Sequence, residues 1–200
     1  WCIEHQWYMI HPHFRGPNWT PQAMGSELAV KDILSAVEYM KNKYDIDEDR
    51  IYLAGVSGGG HAAMLMAGRH PEVWAGVSAW CGISDIEAWW RQRGTQPPKK
   101  YFKFTTHIEK ACGGRPDSDP NAAAECEKRS PVTYLANASG KVKLDINHGL
   151  HDGRKGSVPF THSLYAFNQV AKPEDRLSPE QIETFYRTQT PPQPKPEKPD

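Results

Sequence analysis

The sequence predicts an α/β fold with a mostly parallel sheet that is covered by helices on both faces. Short apolar runs alternate along the chain with stretches of helical periodicity, which is typical of this class. One of these runs leads through a glycine-flanked serine into a helix rich in small residues. The chain has 200 residues, of which 38% are hydrophobic, so it is long enough for one domain with a sizeable core.

The composition argues against two classes of partner. Lys and Arg together number 24, and so do Asp and Glu, so no net charge attracts nucleic acid or an anionic membrane surface. No apolar run approaches the roughly 20 residues that span a bilayer, and no signal-peptide pattern is present. We therefore expect no nucleic-acid partner and no membrane insertion, and the oligomeric state stays open.

Two elements are predicted before the serine motif. Residues 7–10 form a short aromatic and branched run that predicts a strand, ended by His11 and Pro12. Ser26 has the residue type of an N-cap and predicts the start of a helix. The apolar residues of this helix recur at helical spacing and form one stripe: Leu28, Val30, Ile33, Leu34, Val37 and Met40.

The serine motif combines a strand, a turn and a helix. Ile51 to Ala54 predict the strand, Gly55-Val56-Ser57-Gly58-Gly59 predicts a sharp turn, and the alanine-rich stretch that follows predicts the helix. Gly-x-Ser-x-Gly in this setting is the pattern of a nucleophile elbow. The alternative is a glycine-rich loop in which Ser57 has no chemical role. We favour the nucleophile because both flanking elements have the required character.

The residues around Ser57 have physical reasons to be glycine. Side chains at Gly55 and Gly59 would collide with the neighbouring strand and helix, so valine at either position should cost several kcal/mol. A change at Gly60 should matter less, because this residue lies within the helix. The N–H group of Gly58, at the helix N-terminus, is expected to face the oxyanion that forms when Ser57 attacks a carbonyl.

The alternation breaks after a further strand predicted over residues 74–80. Residues 84–138 include Trp89, Trp90 and a proline–lysine run, and they are too many for an ordinary connection. We expect a helical, lid-like insertion over the site. The alternative is a surface elaboration without contact to substrate. Asp85, near its start, is expected to cap a helix.

The four cysteines are Cys2, Cys81, Cys112 and Cys126. They form no C-x-x-C pair, which argues against a zinc site. Cys81 ends an apolar run and is expected to be a buried thiol. Cys112 and Cys126 bracket a polar loop, so they form either a disulfide, as in a secreted or periplasmic protein, or two separate thiols. The compartment therefore stays open.

A second catalytic residue is predicted after a late strand over residues 141–147. In a Ser…Asp…His chain order the acid follows such a strand, so Asp152 is expected to hold the imidazole tautomer and stabilise its protonated form. A helix should follow over residues 160–170. The alternative, a metal cluster of His148, His151 and Asp152, is disfavoured because their spacing fits no helix or strand face and no further ligand stands nearby. We expect neither a metal nor a cofactor.

Several short motifs occur in a defined order along the chain. In that order they resemble the catalytic domain of the prolyl oligopeptidase family of serine peptidases, within the α/β-hydrolase fold. The resemblance spans roughly residues 9–171 and implies that Ser57 is the nucleophile and Asp152 the triad acid. Gly60-His61 replaces the aromatic residue that this family has after Ser-x-Gly-Gly. The motifs are Arg15-Gly16-Pro17-Asn18, Asp32-Ile33, Asp49-Arg50-Ile51, Gly55-Val56-Ser57-Gly58-Gly59, His148-Gly149-x-x-Asp152 and Val158-Pro159-x-x-His162-Ser163.

The same resemblance implies two catalytic groups that none of these motifs contains. These are a second oxyanion donor from an upstream loop and a triad histidine after one more strand. His162 is the only histidine beyond Asp152, and the family has a non-catalytic residue at its position. Residues 190–200 predict a proline-rich connector. We therefore expect the middle of a longer hydrolase, incomplete at both ends and inactive by itself.

Three functions remain in view. The first is a serine peptidase that uses a Ser-His-Asp acyl-enzyme mechanism on a peptide substrate. The second is a carboxylesterase on the same fold, because ester and amide hydrolysis use the same triad. The third is a non-catalytic binding module that retains the fold. The intact serine motif favours an enzyme, whereas the missing histidine favours the module.

Overall fold

The centre of the fold is a parallel sheet. The computed structural model describes residues 2–95 and 99–192, in which the sheet has three strands: β1 (Tyr52–Val56), β2 (Gly76–Trp80) and β3 (Lys143–Asn147). Their order is β1-β2-β3, and Trp80 lies opposite both Val56 and Asn147. All three strands therefore end at the same level. Most of the predicted proline-rich connector and residues 96–98 lie outside the described residues.

The helices alternate with these strands as the sequence predicts. Ser26 is the N-cap of α1, where its hydroxyl accepts a hydrogen bond from the N–H of Ala29. None of the helices in the described ranges is long and apolar enough to cross a bilayer. The helices are α1 (Glu27–Lys43), α2 (Gly58–Arg69), α3 (Ile86–Thr95), α4 (Lys103–Cys112), α5 (Pro120–Lys128), α6 (Thr161–Val170) and α7 (Pro179–Thr188).

The strand predicted over residues 7–10 is wrong, because these residues have no regular secondary structure. Their aromatic rings pack against side chains instead of pairing through the backbone. Trp7 stacks on Tyr52 with ring centroids 5.1 Å apart, and Tyr8 contacts Tyr44 at 4.5 Å. The aromatic content that suggested a strand is therefore used in side-chain packing beside the start of β1.

Among the described residues, the two faces of the sheet differ in how far they are covered. Leu53 and Leu144 face the main core with the buried side chains of α2. On the other face, within the described residues, Tyr52, Val56 and Trp80 are 51%, 66% and 48% exposed. The sequence of β3, Lys-Leu-Asp-Ile-Asn, alternates polar and apolar residues. A strand buried on both faces would be apolar almost throughout.

The insertion over residues 84–138 folds into α3, α4 and α5 around a second apolar core. Trp89, Trp90 and Ile108 are buried in this core together with Cys112 and Cys126. The two cysteines are free thiols, so of the two alternatives the structure agrees with separate thiols and not with a disulfide. The neighbouring Cys112 side chain raises the pKa of the Cys126 thiol, and burial acts in the same direction.

Candidate active site

Ser57 lies in the sharp turn that the elbow pattern predicts, between the end of β1 and the start of α2. Its φ of 56° and ψ of −115° are unusual for a residue with a side chain. The Ser57 N–H donates to the Trp80 carbonyl at 2.8 Å, and the Ser57 carbonyl accepts from the His61 N–H at 2.9 Å. These two bonds fix a strained backbone and leave the serine side chain exposed at the strand end.

The glycines of the turn are constrained differently from the prediction. A Cβ on Gly55 would lie 2.1 Å from the carbonyl oxygen of Gly59, so Gly55 is required as expected. A Cβ on Gly59, however, would meet no atom within 4 Å. A Cβ on Gly60 would stand 2.6 Å from the Trp80 carbonyl oxygen. The expected order of Gly59 and Gly60 is therefore wrong, because Gly60 is the helix residue that faces the end of β2.

The start of α2 brings a side-chain amide next to the Gly58 backbone. The Asn18 Oδ1 accepts a hydrogen bond from the Met24 N–H at 3.1 Å, which turns its Nδ2 toward the helix. That Nδ2 atom lies 2.4 Å from the position that a Cβ on Gly58 would take. The Gly58 N–H and the Asn18 amide are thus two donors at the N-terminus of a 12-residue helix, a setting that favours negative charge.

Asp152 lies in the loop after β3 and is half-buried. Its Oδ1 accepts from the backbone N–H groups of Gly153 at 3.0 Å and Val158 at 3.4 Å. Burial alone would raise the pKa of this carboxyl group, but the neighbouring His148 and hydrogen bonds from the two backbone groups outweigh it and lower the pKa. Asp152 is therefore ionised at neutral pH, as a triad acid has to be.

Two further side chains converge on Asp152. His148 places its Nε2 3.6 Å from Asp152 Oδ2, and Cys81 brings its thiol into the same cluster. The ligand atoms of Cys81, His148 and Asp152 all lie within 4.8 Å of one another. His151, the third member of the disfavoured metal cluster, is instead exposed, and its Nδ1 contacts Gln189 Nε2 at 3.0 Å.

The structure brings Ser57 and Asp152 to the same end of the sheet. Ser57 follows β1 and Asp152 follows β3, and β2 lies between these parallel strands. Two strand spacings separate the loops by about 10 Å. An imidazole placed above the end of β2 would bridge such a gap.

His162 is engaged away from Ser57. It is fully buried, its Nδ1 accepts from the Ser84 N–H at 3.3 Å, and its Nε2 lies 3.0 Å from Gln92 Oε1. Burial lowers its pKa to about 3. His61 is likewise buried, with Nε2 2.7 Å from the Arg129 carbonyl oxygen and a pKa lowered by burial to about 4. Both side chains therefore serve the packing of the insertion.

Because these two histidines are buried, we expect the free energy of unfolding to fall in mild acid. Both are neutral in the folded chain, with pKa values of about 4 for His61 and about 3 for His162, against about 6.5 in the unfolded chain. Because the folded-state values are depressed, their stabilising contribution is complete above pH 6.5 and declines as the pH falls toward 4 and 3. Each histidine accounts for up to about 1.4 kcal/mol per pH unit in that window.

Urea unfolding at pH 7.0 and at pH 5.0 measures this loss. His61→Gln keeps an N–H for the Arg129 carbonyl but does not titrate, so it should reduce the difference between the two free energies of unfolding. The exposed His13, changed to Gln, is the matched control and should leave that difference as it is. An equal pH effect in wild type and His61→Gln would contradict the prediction.

The insertion holds the loop that carries Asp152. The Trp89 indole N–H donates to the Ser157 carbonyl at 2.9 Å, and the Tyr101 hydroxyl donates to the Lys155 carbonyl at 2.7 Å. The helical insertion is therefore in contact with the candidate site through backbone carbonyls of one loop.

Arg93 of α3 is fully buried behind this loop. Its Nη1 reaches the Gly153 carbonyl at 3.5 Å, whereas Nε and Nη2 have no hydrogen-bond partner among the described residues. Burial lowers the pKa of the guanidinium, and the nearby Tyr186 and the charge of Asp152 oppose this shift. By the same attraction, Arg93 favours the ionised form of Asp152.

The other side of the loop is tied to α7. Arg154 Nη2 donates to the carbonyls of Tyr186 at 2.7 Å and Arg187 at 2.6 Å, which are in the last turn of that helix. Gln189, directly after α7, donates to the Leu150 carbonyl at 3.2 Å. The loop between β3 and α6 is thus held from both sides.

The sequence did not predict that three of these side chains, Asn18, Cys81 and Arg93, lie at the candidate site. Asn18 lies in a motif that was recognised, but no spacing rule connects it with the serine 39 positions later. The position of Cys81 could have been predicted, because it directly follows an apolar strand whose carboxyl end should lie beside Ser57. Arg93 gave no signal, since a charged residue in a helix is ordinarily exposed.

Comparison with known proteins finds a family model and solved structures that match this chain. A family model described as the prolyl oligopeptidase family matches residues 14–182. A solved structure of an acylaminoacyl peptidase in complex with Z-Gly-Gly-Phe-chloromethyl ketone is similar in fold, with a TM-score of 0.58 and 22% sequence identity. The match covers 74% of this chain but 21% of the acylaminoacyl peptidase chain, so this chain spans about a fifth of that length. No curated protein matches.

Proposed function

The chain belongs to the prolyl oligopeptidase family of serine-peptidase-type hydrolases, and from this premise we propose that Ser57 is the nucleophile of a peptide-bond hydrolase. The family model that matches residues 14–182 contains both the Ser57 turn and the Asp152 loop. The proposal is supported by the α/β-hydrolase fold, in which both segments follow strands of one parallel sheet.

The observation that carries this proposal is the backbone of Ser57. A left-handed φ at a non-glycine residue costs about 1–3 kcal/mol and persists where surrounding structure enforces it. Here the enforcing contacts are the hydrogen bond to Trp80 and the close approach of Gly55 to Gly59. Such strain in a residue with an exposed hydroxyl is characteristic of a nucleophile elbow and has no use in a plain connection.

In the proposed reaction, Ser57 Oγ attacks the substrate carbonyl carbon. The Gly58 N–H and the Asn18 amide donate hydrogen bonds to the oxyanion, and Asp152 orients a histidine that takes the serine proton. Three histidines of the described residues, His61, His148 and His162, are hydrogen-bonded to groups other than Ser57. The proposal therefore requires a parent protein, meaning a longer polypeptide that contains these 200 residues and supplies the histidine.

The proposed substrate is a peptide. The acylaminoacyl peptidase of similar fold was solved with a peptide-like chloromethyl ketone, and the same class is proposed here. The insertion over residues 84–138 is proposed as a lid, because it contacts the Asp152 loop through Trp89 and Tyr101. Neither nucleic acid nor membrane insertion is part of the proposal, and no cofactor takes part in the steps assigned to Ser57 and Asp152.

A fluorophosphonate probe tests the nucleophile. The probe reacts with activated serines, so the parent protein should become labelled, and digestion followed by mass spectrometry should place the label on the peptide that contains Ser57. The chain of residues 1–200 is expected to remain unlabelled, because an unassisted serine hydroxyl is a weak nucleophile at neutral pH.

Two controls separate the alternatives. Turnover of matched peptide-amide and ester substrates by the parent protein distinguishes a peptidase from a carboxylesterase. A folded parent protein without label would support the binding module and contradict the proposal. Strong labelling of the chain of residues 1–200 at Ser57 would show that a histidine within it supplies the base.

A further inference from the structure

Three metal-ligating side chains from two distant stretches meet between the ends of β2 and β3. Cys81 directly follows β2, and His148 and Asp152 lie in the loop after β3. Their donor atoms all lie within 4.8 Å of one another. We propose that Cys81, His148 and Asp152 form a binding site for Zn²⁺ or a similar divalent cation of intermediate softness.

The three donors select the class of cation. A thiolate, an imidazole and a carboxylate are the ligands of zinc, which binds four groups in a tetrahedron. Mg²⁺ and Ca²⁺ prefer oxygen ligands throughout and are not suited to a set with Cys81 and His148. Zinc–ligand bonds of about 2.0–2.3 Å imply donor separations of about 3.5 Å. The 3.6 Å between His148 Nε2 and Asp152 Oδ2 already fits this value.

The surrounding structure holds each donor in place. The Cys81 N–H donates to the Asn147 carbonyl at 2.8 Å, which anchors it between β2 and β3. Asp152 Oδ1 accepts from two backbone N–H groups, so Oδ2 is the oxygen that faces His148. His148 Nδ1 lies 2.8 Å from Ser163 Oγ. Such outer contacts orient the ligands in metal sites.

Binding requires a defined proton exchange. Without metal, His148 Nε2–H donates to the Val158 carbonyl at 3.0 Å. To ligate, the ring takes its other neutral tautomer, in which Nδ1–H donates to Ser163 Oγ, and tilts so that the Nε2 lone pair faces the cation and no longer the Val158 carbonyl. The imidazole is neutral before and after this change. The Cys81 thiol loses its proton, so one proton leaves for each cation bound, and a water completes the tetrahedron.

The proposed site has a consequence that rests on the proposed function. A cation on Asp152 would take the carboxylate away from the triad histidine, so Zn²⁺ should inhibit the parent protein reversibly. Binding itself does not depend on Ser57 or on any activity. It can therefore be tested separately from the hydrolase proposal.

The test is a titration of the 200-residue chain with Co²⁺ alone, followed by displacement with Zn²⁺. Tetrahedral Co²⁺ with a thiolate ligand has visible ligand-field bands and a near-ultraviolet sulfur-to-cobalt charge-transfer band, and we expect one equivalent to produce both. Cys81→Ser should lose the charge-transfer band and bind more than about 100-fold more weakly. Ser163→Ala, which removes only an outer contact, should weaken binding by about 10–100-fold.

Cys2→Ser is the matched control, because it removes a thiol outside the cluster, and it should keep the full spectrum. Circular dichroism checks that each variant is folded. A second measurement uses the wild type alone: Zn²⁺ should protect Cys81, but not Cys2, from iodoacetamide, as read by mass spectrometry. An unchanged spectrum in folded Cys81→Ser, no thiolate–cobalt band in the wild type, or unprotected Cys81 would each overturn the proposal.

Discussion

Replacing Ser57 with alanine is expected to lower the kcat of the parent protein by about six orders of magnitude. The hydroxyl is the group that forms the acyl-enzyme, and nothing else at the end of β1 can take its place in the covalent step. Asp152→Asn should lower kcat by about four orders of magnitude, because an amide holds the histidine in the wrong tautomer. Initial rates with a peptide-amide substrate measure both losses.

The two variants together distinguish a triad from independent residues. Members of a triad act as a unit, so the double variant should be about as slow as Ser57→Ala alone and not slower by the product of both effects. Ser118→Ala, at an exposed position in the insertion, is the control and should keep the wild-type rate. A Ser57→Ala variant within tenfold of wild type would place the nucleophile elsewhere.

Gly60→Ala is expected to lower the free energy of unfolding by about 3 kcal/mol, whereas Gly59→Ala should raise it by up to about 1 kcal/mol. A Cβ on Gly60 would lie 2.6 Å from the Trp80 carbonyl oxygen and 3.0 Å from the Gly82 Cα. Both are backbone atoms, so relief requires α2 to move away from the end of β2. A Cβ on Gly59 meets open space, and alanine suits a helix better than glycine does.

Urea denaturation of the 200-residue chain, followed by circular dichroism, measures both free energies. The two changes add the same methyl group at adjacent helix positions, so each serves as the control for the other. Similar midpoints for the two variants would mean that α2 does not approach β2 as described. Destabilisation by Gly59→Ala alone would support the order that the sequence suggested.

The meeting of Ser57 and Asp152 at one end of the sheet could be predicted because parallel strands present their carboxyl ends together. Strand ends are readable in a sequence, since each apolar run stops at a recognisable loop. The difference in space around Gly59 and Gly60 could not be predicted in this way. It depends on which side of α2 faces β2, and a one-residue shift rotates a helix position by about 100°.

The Cys81 contact escaped prediction for a different reason. Cys81 and His148 are 67 positions apart in the sequence, and only the pairing of β2 with β3 brings them together. The missing strand over residues 7–10 shows the converse limit. An aromatic, branched run predicts a strand only if a neighbouring backbone is available for pairing, and here Trp7 and Tyr8 pack on side chains.

The anchoring of α7 to the Asp152 loop has a mechanical consequence. Arg154, two positions after Asp152, donates to the carbonyls of Tyr186 and Arg187 in the last turn of that helix. Tension on the polypeptide beyond Thr188 would therefore act on the hydrogen bonds of Arg154 before it acted on any strand of the sheet. A force applied at the end of α7 would therefore be transmitted through Arg154 to Asp152, the candidate acid, which lies two residues away.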